Sequence, residues 1–280
     1  MTSLIKYVVP MLLAAACLQA AQADQLQQIK DRKTLVCGTF AGIEPFGYAD
    51  PKTRQTVGFD VDLCAAVAHE MGVALDHRGL AVEARIPELN LGRVDILIAN
   101  LAYSQSRAKQ IDYSDAYYLG ADMVIVRKDA GITSLEQLAG KRISATKAST
   151  SEQAVRIRLP TATPVTFQDA SAAYLALQQG KVEGATFNAL TSAMFVHEGE
   201  KEGHPVLLIK EPLMVEPTGI GVKKGEPALL AEMNRVLGVL EASGELTRLW
   251  NKWLGPNTAY GLTRDFKTTP IKDIKFTPLP

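Results

Sequence analysis

The stretch NLGRVDILIANLAYSQSRAKQIDYSDAYY, residues 90–118, decides how the rest of this chain is interpreted. Its apolar run, residues 94–99, is short and rich in β-branched side chains, which indicates a buried parallel strand. Polar groups then follow, beginning with Asn100 and ending with Arg107. They fall at the carboxyl edge of the expected sheet, where open α/β sheets bind ligands. Because a guanidinium keeps its proton and offers a planar fork of donors, we predict that Arg107 clamps a carboxylate.

The order of motifs in this stretch resembles that of a known protein family. GRVD at residues 92–95 precedes the strand, and Arg107 and then DYSDAYY at residues 112–118 follow it. This order is similar to that of the bacterial extracellular solute-binding proteins of family 3, the periplasmic receptors of polar-amino-acid ABC transporters. The resemblance runs from about residue 35 to residue 255. It favours the clamp over a surface arginine paired with a nearby aspartate, which would contribute only about 0 to 1 kcal/mol.

Strands and helices are predicted to alternate along the chain, which indicates an α/β fold with parallel sheets. The predicted strands are residues 34–38, 73–80, 94–99, 121–126, 141–145, 165–167, 181–186, 207–209 and 214–222. The predicted helices are residues 58–71, 86–91, 152–158, 170–179, 190–197, 227–242 and 246–254.

This pattern restarts after the strand at residues 121–126 and returns near residues 214–219, which predicts two lobes joined by two strands. The resemblance implies the same fold, a two-lobed periplasmic binding protein of type II whose two Rossmann-like lobes close on ligand by a hinge motion. The expected divisions are lobe I at residues 24–123 and 218–255, lobe II at residues 124–217, and a tail at residues 256–280. We expect the tail to lie extended against the surface or to be partly mobile.

Residues 1–23 have the features of a secretory signal peptide. Lys6 precedes an apolar segment at residues 7–18, and Ala21 and Ala23 supply the small residues of a cleavage site. We predict cleavage after Ala23 and a periplasmic mature protein. A lipoprotein anchored through Cys17 is the alternative, although the three alanines before it lack a bulky aliphatic residue.

Composition and charge exclude several classes of function. The 280 residues are 47% hydrophobic and 21% charged, which is ordinary for a globular protein. Lys plus Arg and Asp plus Glu both number 30, so no overall field favours nucleic acid or an anionic membrane. A local site must therefore select the ligand.

Two cysteines remain after the predicted cleavage, Cys37 in the first strand and Cys64 in the first long helix. An oxidising compartment permits them to form a disulfide. Both residues are also compatible with small, unpaired core positions, and sequence alone does not supply the geometry.

A second anion-binding element is predicted at Ser149 and Thr150. They precede a predicted helix, where free backbone amides and neighbouring hydroxyls form an anion site. Capping of the helix by one of these hydroxyls is compatible with that role. We therefore expect this element to face Arg107.

The resemblance also implies how a ligand ammonium would be held, and here the sequence departs from the family. The family supplies a carbonyl near Asn100, a small polar side chain at the position of Ala102 and an aspartate at the position of Asn188. Ala102 has no hydroxyl and Asn188 has no charge. Either Glu44 or another acid supplies the charge, or neutral acceptors hold the amine, or the ligand is not an ordinary α-amino acid.

An aromatic lid of the family also differs, because Ile43 stands where an aromatic residue is common. Phe40 or Phe46 could compensate, although Phe46 after Pro45 is typical of a core anchor. Two aspartates, Asp60 and Asp62, are expected at the helix start, where the macrodipole favours them, rather than in the site.

The expected partners are a small carboxylate ligand and an ABC transporter permease in the inner membrane, with a monomeric receptor. The alternatives are an enzyme similar to cyclohexadienyl dehydratase and a sensor that presents its ligand to a receptor. Glu44 is the only acid that the sequence lets us place near the pocket as a catalytic group. The four histidines show no metal-ligand spacing, so no metal or other cofactor is expected.

Overall fold

The structure is a computed structural model that describes residues 24–279. The predicted signal peptide, its cleavage site after Ala23 and the alternative anchor at Cys17 lie outside the described residues. The helices are α1 (Gln25–Arg32), α2 (Phe59–Glu70), α3 (Arg85–Asn90), α4 (Gln105–Ala108), α5 (Thr150–Arg158), α6 (Ala170–Gln178), α7 (Ala189–Lys201), α8 (Pro227–Ala242) and α9 (Glu245–Trp253). The strands are β1 (Thr34–Phe40), β2 (Tyr48–Ala49), β3 (Thr56–Val57), β4 (Ala74–Leu80), β5 (Ile96–Leu97), β6 (Ile111–Arg127), β7 (Arg142–Thr146), β8 (Thr163–Phe167), β9 (Gly184–Asn188), β10 (Val206–Leu208) and β11 (Met214–Lys223).

Two long strands connect the halves of the molecule. Within the described residues, the main sheet runs in the order β4-β1-β5-β11-β6-β9-β7-β8, and β10 pairs with β6. The first part of β6 pairs with β11, and its last part pairs with β9 and β10. Strands β6 and β11 are therefore the two crossing strands that the sequence pattern predicts.

The prediction of parallel sheets is correct only for the outer strands. β1 lies parallel to β4 and β5, and β7 lies parallel to β8 and β9. All pairs that involve β6 or β11 are antiparallel, because these strands cross between the halves in opposite directions. The sheet is therefore mixed, with its antiparallel part at the crossing.

The central stretch differs in detail from its prediction. Residues 94–99 are all buried, but only Ile96–Leu97 is a regular strand. Backbone amides on either side of β5, those of Asp95 and Ile98, still donate to carbonyls of β1. Strand β6 is 17 residues long and begins at Ile111, well before the predicted residue 121. Because β6 is this long, it extends from the first half of the molecule into the second.

Cys37 on β1 and Cys64 on α2 form a disulfide with an S–S distance of 2.04 Å. Both residues are fully buried in the main apolar core. Of the two alternatives left by the sequence, the structure therefore has the bonded pair. The disulfide links α2 to β1, the strand whose carboxyl end reaches the cavity described below.

The C-terminal tail packs on the rest of the molecule over its described length. The backbone of Thr269 exchanges two hydrogen bonds with Ala116 on β6. Arg264 forms an ion pair with Glu241 at 2.7 Å, and Leu279 is buried in an apolar cluster with residues of the second half. The tail therefore lies extended against the surface, one of the two outcomes expected.

Candidate functional site

A small cavity of about 50 Å³ lies where the carboxyl ends of strands from both halves meet. Its wall is formed by Phe40, Ile43, Val82, Arg85, Asn100, Arg107, Asp122, Thr146, Ser149, Thr150, Ser151, Ala170, Phe187, Asn188 and Glu216. Most of these residues end a strand or begin a helix, which is the usual position of ligand sites in α/β folds. At the cleft, Gln168 of the second half also donates a hydrogen bond to Glu83 of the first.

Arg107 lies in the cavity wall, with only 5% of the residue exposed. Its Nη1 donates to the carbonyl oxygen of Ala102 at 2.9 Å, and its Nη2 donates to that of Ala148 at 3.1 Å. Ala102 belongs to the first half and Ala148 to the second, so the guanidinium spans the cleft. Two neutral carbonyls orient this cation without neutralising it, which leaves its charge available to an anion.

The N-terminus of α5, in the second half, also lines this cavity and lies next to Arg107, which donates to Ala148. The Ser149 hydroxyl accepts from the Glu152 amide at 3.1 Å, and the Glu152 carboxylate accepts from the Ala148 amide at 2.9 Å. This reciprocal arrangement resembles a capping box and fixes the start of the helix. The amides of the first turn, at Thr150 and Ser151, have no acceptor within the helix and favour an anion.

Two buried acids complete the wall. Asp122 lies on β6 and Glu216 lies on β11, with exposed fractions of 1% and 5%. Burial raises the pKa of Asp122 to about 6, although hydrogen bonds from Ser151 and Glu216 and the charge of Arg107 oppose this. Burial also raises the pKa of Glu216 well above its usual range, and the charge of Asp122 adds to the increase. The pair therefore retains a proton under conditions in which exposed carboxyls are ionised.

A second guanidinium, that of Arg85 at the start of α3, also reaches the wall. Its Nε donates to Val82 at 3.0 Å, its Nη1 donates to Ala99 at 2.7 Å, and it lies 5.5 Å from the ring centre of Phe40. Burial and the neighbouring charge of Arg107 lower the pKa of Arg85 to about 9. Arg85 therefore stays charged at neutral pH and holds Phe40 against the cavity.

Seven of the nine residues predicted for the site line the cavity. These are Phe40, Ile43, Asn100, Arg107, Ser149, Thr150 and Asn188. The side chain of Asn188 caps α7, because its Oδ1 accepts from the amides of Leu190 and Thr191, both at 3.0 Å. Its amide oxygen is therefore already occupied by the helix.

The other two predicted residues lie outside the wall. Ala102 contributes only a carbonyl, which accepts from Arg107 and from the Tyr113 hydroxyl. Glu44 is exposed and does not line the cavity, so of the two sources of charge considered, Glu44 or another acid, the cavity wall contains the second. The acids of the cavity are Asp122 and Glu216. Each is the single carboxylate of an otherwise apolar strand segment, and this pattern is visible in the sequence.

Two further properties of residues 24–279 bear on function. No group of three or more His, Cys, Asp and Glu side chains among them could hold a metal ion. None of the helices in this part of the chain is long and apolar enough to cross a membrane.

Comparison with known proteins identifies the family. The model of the bacterial extracellular solute-binding proteins, family 3, matches residues 35–256. This chain belongs to that family. The solute-binding protein is 29% identical over 243 residues to the ABC transporter glutamine-binding protein of Bacillus subtilis, covering 85% of this chain and 88% of that protein. It is 30% identical over 210 residues to the glutamine-binding protein of Geobacillus stearothermophilus, covering 73% of this chain and 78% of the relative.

Solved structures share its fold. An ancestral arginine-binding protein bound to arginine superposes with a TM-score of 0.74 at 32% identity, covering 80% of this chain and 99% of that one. An ancestral amino acid-binding protein, a precursor of cyclohexadienyl dehydratase, superposes with a TM-score of 0.75 at 30% identity, covering 83% and 100%. The solute-binding protein therefore has the two-lobed type II fold, with β6 and β11 as the strands between its lobes.

Proposed function

We propose that this protein is the periplasmic receptor of an ABC transporter, which captures an amino acid or a related small carboxylate between its lobes and delivers it to a permease. The observation that carries this proposal is the buried guanidinium of Arg107, which lies in the interlobe cavity and contacts both lobes. Relatives that are named as glutamine-binding and arginine-binding proteins support the class of ligand.

In this proposal the carboxylate of the ligand binds between Arg107 and the start of α5. The guanidinium supplies charge-assisted hydrogen bonds, and the amides near Ser149 and Thr150 supply further donors at the positive end of the helix dipole. Phe40 and Ile43 form the apolar wall over the bound ligand. Asn100 supplies a carbonyl group beside the ligand, whereas the carbonyl of Ala102 accepts from Arg107 and Tyr113 and so orients the clamp.

The proposal includes the predicted organisation of the mature chain. Lobe I comprises residues 24–123 and 218–255, lobe II comprises residues 124–217, and the tail comprises residues 256–280. Cleavage after Ala23 releases the protein into the periplasm as a monomer. The closed lobes then present the surface that the permease recognises.

A thermal-shift screen of the mature chain against amino acids, amines and small organic acids tests the function. Any compound well above its dissociation constant raises the unfolding midpoint, so at least one amino acid should do so. Arg107→Ala should remove the shift while the protein still folds. Arg93→Ala is the matched control, because that arginine is exposed and forms an ion pair with Glu88 at 2.7 Å, away from the cavity wall. An undiminished shift with Arg107→Ala would remove the proposed clamp.

The buried acids favour one second candidate, a dehydratase on the same scaffold. Glu216 is a carboxyl that holds its proton beside Arg107, as a general acid requires. The structural similarity to a precursor of cyclohexadienyl dehydratase points to the same class. Turnover of prephenate or arogenate by the purified protein would decide for the enzyme. Thermal stabilisation by an amino acid without turnover of either compound would decide for the receptor.

A further inference from the structure

The two cavity acids lie side by side on the strands that join the lobes. Asp122 pairs directly with Met214 across β6 and β11, and Glu216 pairs directly with Gly120. The two acids are therefore diagonal neighbours on one face of an antiparallel pair, at a separation that side chains bridge. Both carboxyl groups line the cavity. The two acids therefore lie in the part of the cavity wall that is formed by the strands between the lobes.

These carboxyl groups lack sufficient hydrogen-bond donors within the protein. The Ser151 hydroxyl donates to Oδ1 of Asp122 at 2.8 Å, and the Thr150 hydroxyl forms a hydrogen bond with the Glu216 carboxyl. Oδ2 of Asp122 and Oε1 of Glu216 are buried and receive no hydrogen bond from any N–H or hydroxyl of the described residues. Buried acceptors without donors are costly, and two adjacent carboxylates repel each other. A proton on one of the two acids removes this repulsion, in agreement with the raised pKa of both carboxyl groups.

The position that the family resemblance assigns to the ammonium is adjacent to this pair. Asn188 on β9 is the direct partner of Asp122 on β6. Asn188 is neutral, and its oxygen is occupied by the first turn of α7. The negative charge that Asn188 lacks is thus supplied by Asp122 on the neighbouring strand.

We infer that Asp122 and Glu216 form the cation-binding end of the site, so that the ligand is a zwitterion with its carboxylate at Arg107 and its ammonium at the acid pair. This inference rests on the proposed function. When the ammonium binds, the O–H bond of the protonated carboxyl breaks and its proton leaves for solvent. The ammonium then donates hydrogen bonds to both carboxylates, which supplies the missing donors.

Binding should therefore depend on pH. Because the free site holds a proton that the bound site releases, affinity should fall as the pH drops, by up to about tenfold per pH unit. The other ionisable groups that face the pair are Arg85, Arg107, Tyr113 and Tyr118. Burial raises the pKa of both tyrosines, and Arg85 has a pKa of about 9, so none of these groups changes charge between pH 5 and pH 8.

The test uses the double variant Asp122→Asn, Glu216→Gln, which keeps the shape of both side chains and removes their charge. Each of the twenty common L-amino acids is measured by thermal shift, and each that binds by calorimetry, at pH 7.5 and pH 5.5. We expect the double variant to bind amino acids about 10- to 100-fold more weakly at pH 7.5, because the charge-assisted hydrogen bonds to the ammonium are lost. Its affinity should also no longer depend on pH. Glu211→Gln, which alters an exposed acid near Glu216, is the matched control.

The outcomes separate this inference from the proposed function. Equal affinity of wild type and double variant would overturn the inference and leave the receptor function in place. Stabilisation by succinate or glutarate, with none by any amino acid, would also overturn it, because such ligands carry no cation. If no compound of either kind stabilises the wild-type protein, the proposed function fails and the inference fails with it.

Discussion

The two ends of the interlobe cavity differ in how the protein satisfies their charged groups. At the anion end, Arg107 is oriented by two carbonyls, and a cap fixes the helix behind Ser149. At the acid end, Asp122 and Glu216 retain buried oxygens without a donor. One end is therefore preorganised for its ligand, whereas the other is stabilised by a proton that a ligand must displace. This difference makes the acid end the more sensitive to pH and to the ligand's own charge.

The role of the acid end can be tested by moving its negative charge from β6 and β11 to the neighbouring strand β9. Adding Asn188→Asp to the double variant Asp122→Asn, Glu216→Gln returns one carboxylate next to the original pair. Aspartate caps a helix about as well as asparagine, so α7 should remain intact. We expect the triple variant to regain about tenfold of the lost affinity for an amino acid, measured by calorimetry. A triple variant no tighter than the double one would show that charge beside Asp122 is not what binds the ammonium.

The anion end could be predicted from sequence because its signals are local. Arg107 follows a short apolar strand within ten residues, and Ser149 and Thr150 directly precede a helix. The acid end required knowledge of pairing between distant segments. Asp122 and Glu216 are 94 positions apart by their numbers, and only the register of β6 and β11 brings them together. A strand register depends on the whole sheet, which the periodicity of one segment does not supply.

The same limit explains the other differences between sequence and structure. The strand at residues 94–99 is shorter than predicted because burial, which the apolar pattern reports, extends beyond regular pairing. Helix α8 matches its prediction, residues 227–242, because its signal is the periodic pattern of one segment after a proline. Glu44 is close in sequence to the end of β1, but its side chain is exposed, and sequence proximity alone does not show which way a loop residue faces.

The disulfide allows the stability of lobe I to be separated from the affinity of the site. Replacing Cys37 and Cys64 by alanine removes a cross-link with a sequence separation of 27 residues. The free energy of unfolding should fall by about 3.5 kcal/mol, as chain-entropy arguments give for a loop of this length. The affinity for an amino acid should stay within about twofold, because neither cysteine lines the cavity. Denaturant unfolding and calorimetry check the two quantities, and a large loss of affinity would link the cross-link to the site.

A further prediction concerns the stability of the unliganded protein. The pKa of Asp122 is about 6 in the folded protein, above the ordinary value of about 3.9 in an unfolded chain. The folded state therefore holds the proton more tightly, and its stability falls as the pH rises from about 4 to 6.

Asp122→Asn should remove this loss. Without ligand, it should raise the free energy of unfolding by about 3 kcal/mol at pH 7.5, since the two pKa values differ by about 2, and change it little at pH 4. Thermal unfolding at the two pH values checks this, with Glu211→Gln as the control. Equal destabilisation at both pH values would mean that the carboxylate is a structural acceptor rather than a strained charge.

A crystal structure of the mature protein with its amino acid tests the central claim most directly. We predict a ligand carboxylate about 3 Å from the Arg107 guanidinium and from an amide of the first turn of α5. An interlobe cavity without ligand, with the amino acid bound instead in the groove between Tyr103 and the tail near Ile271, would contradict it.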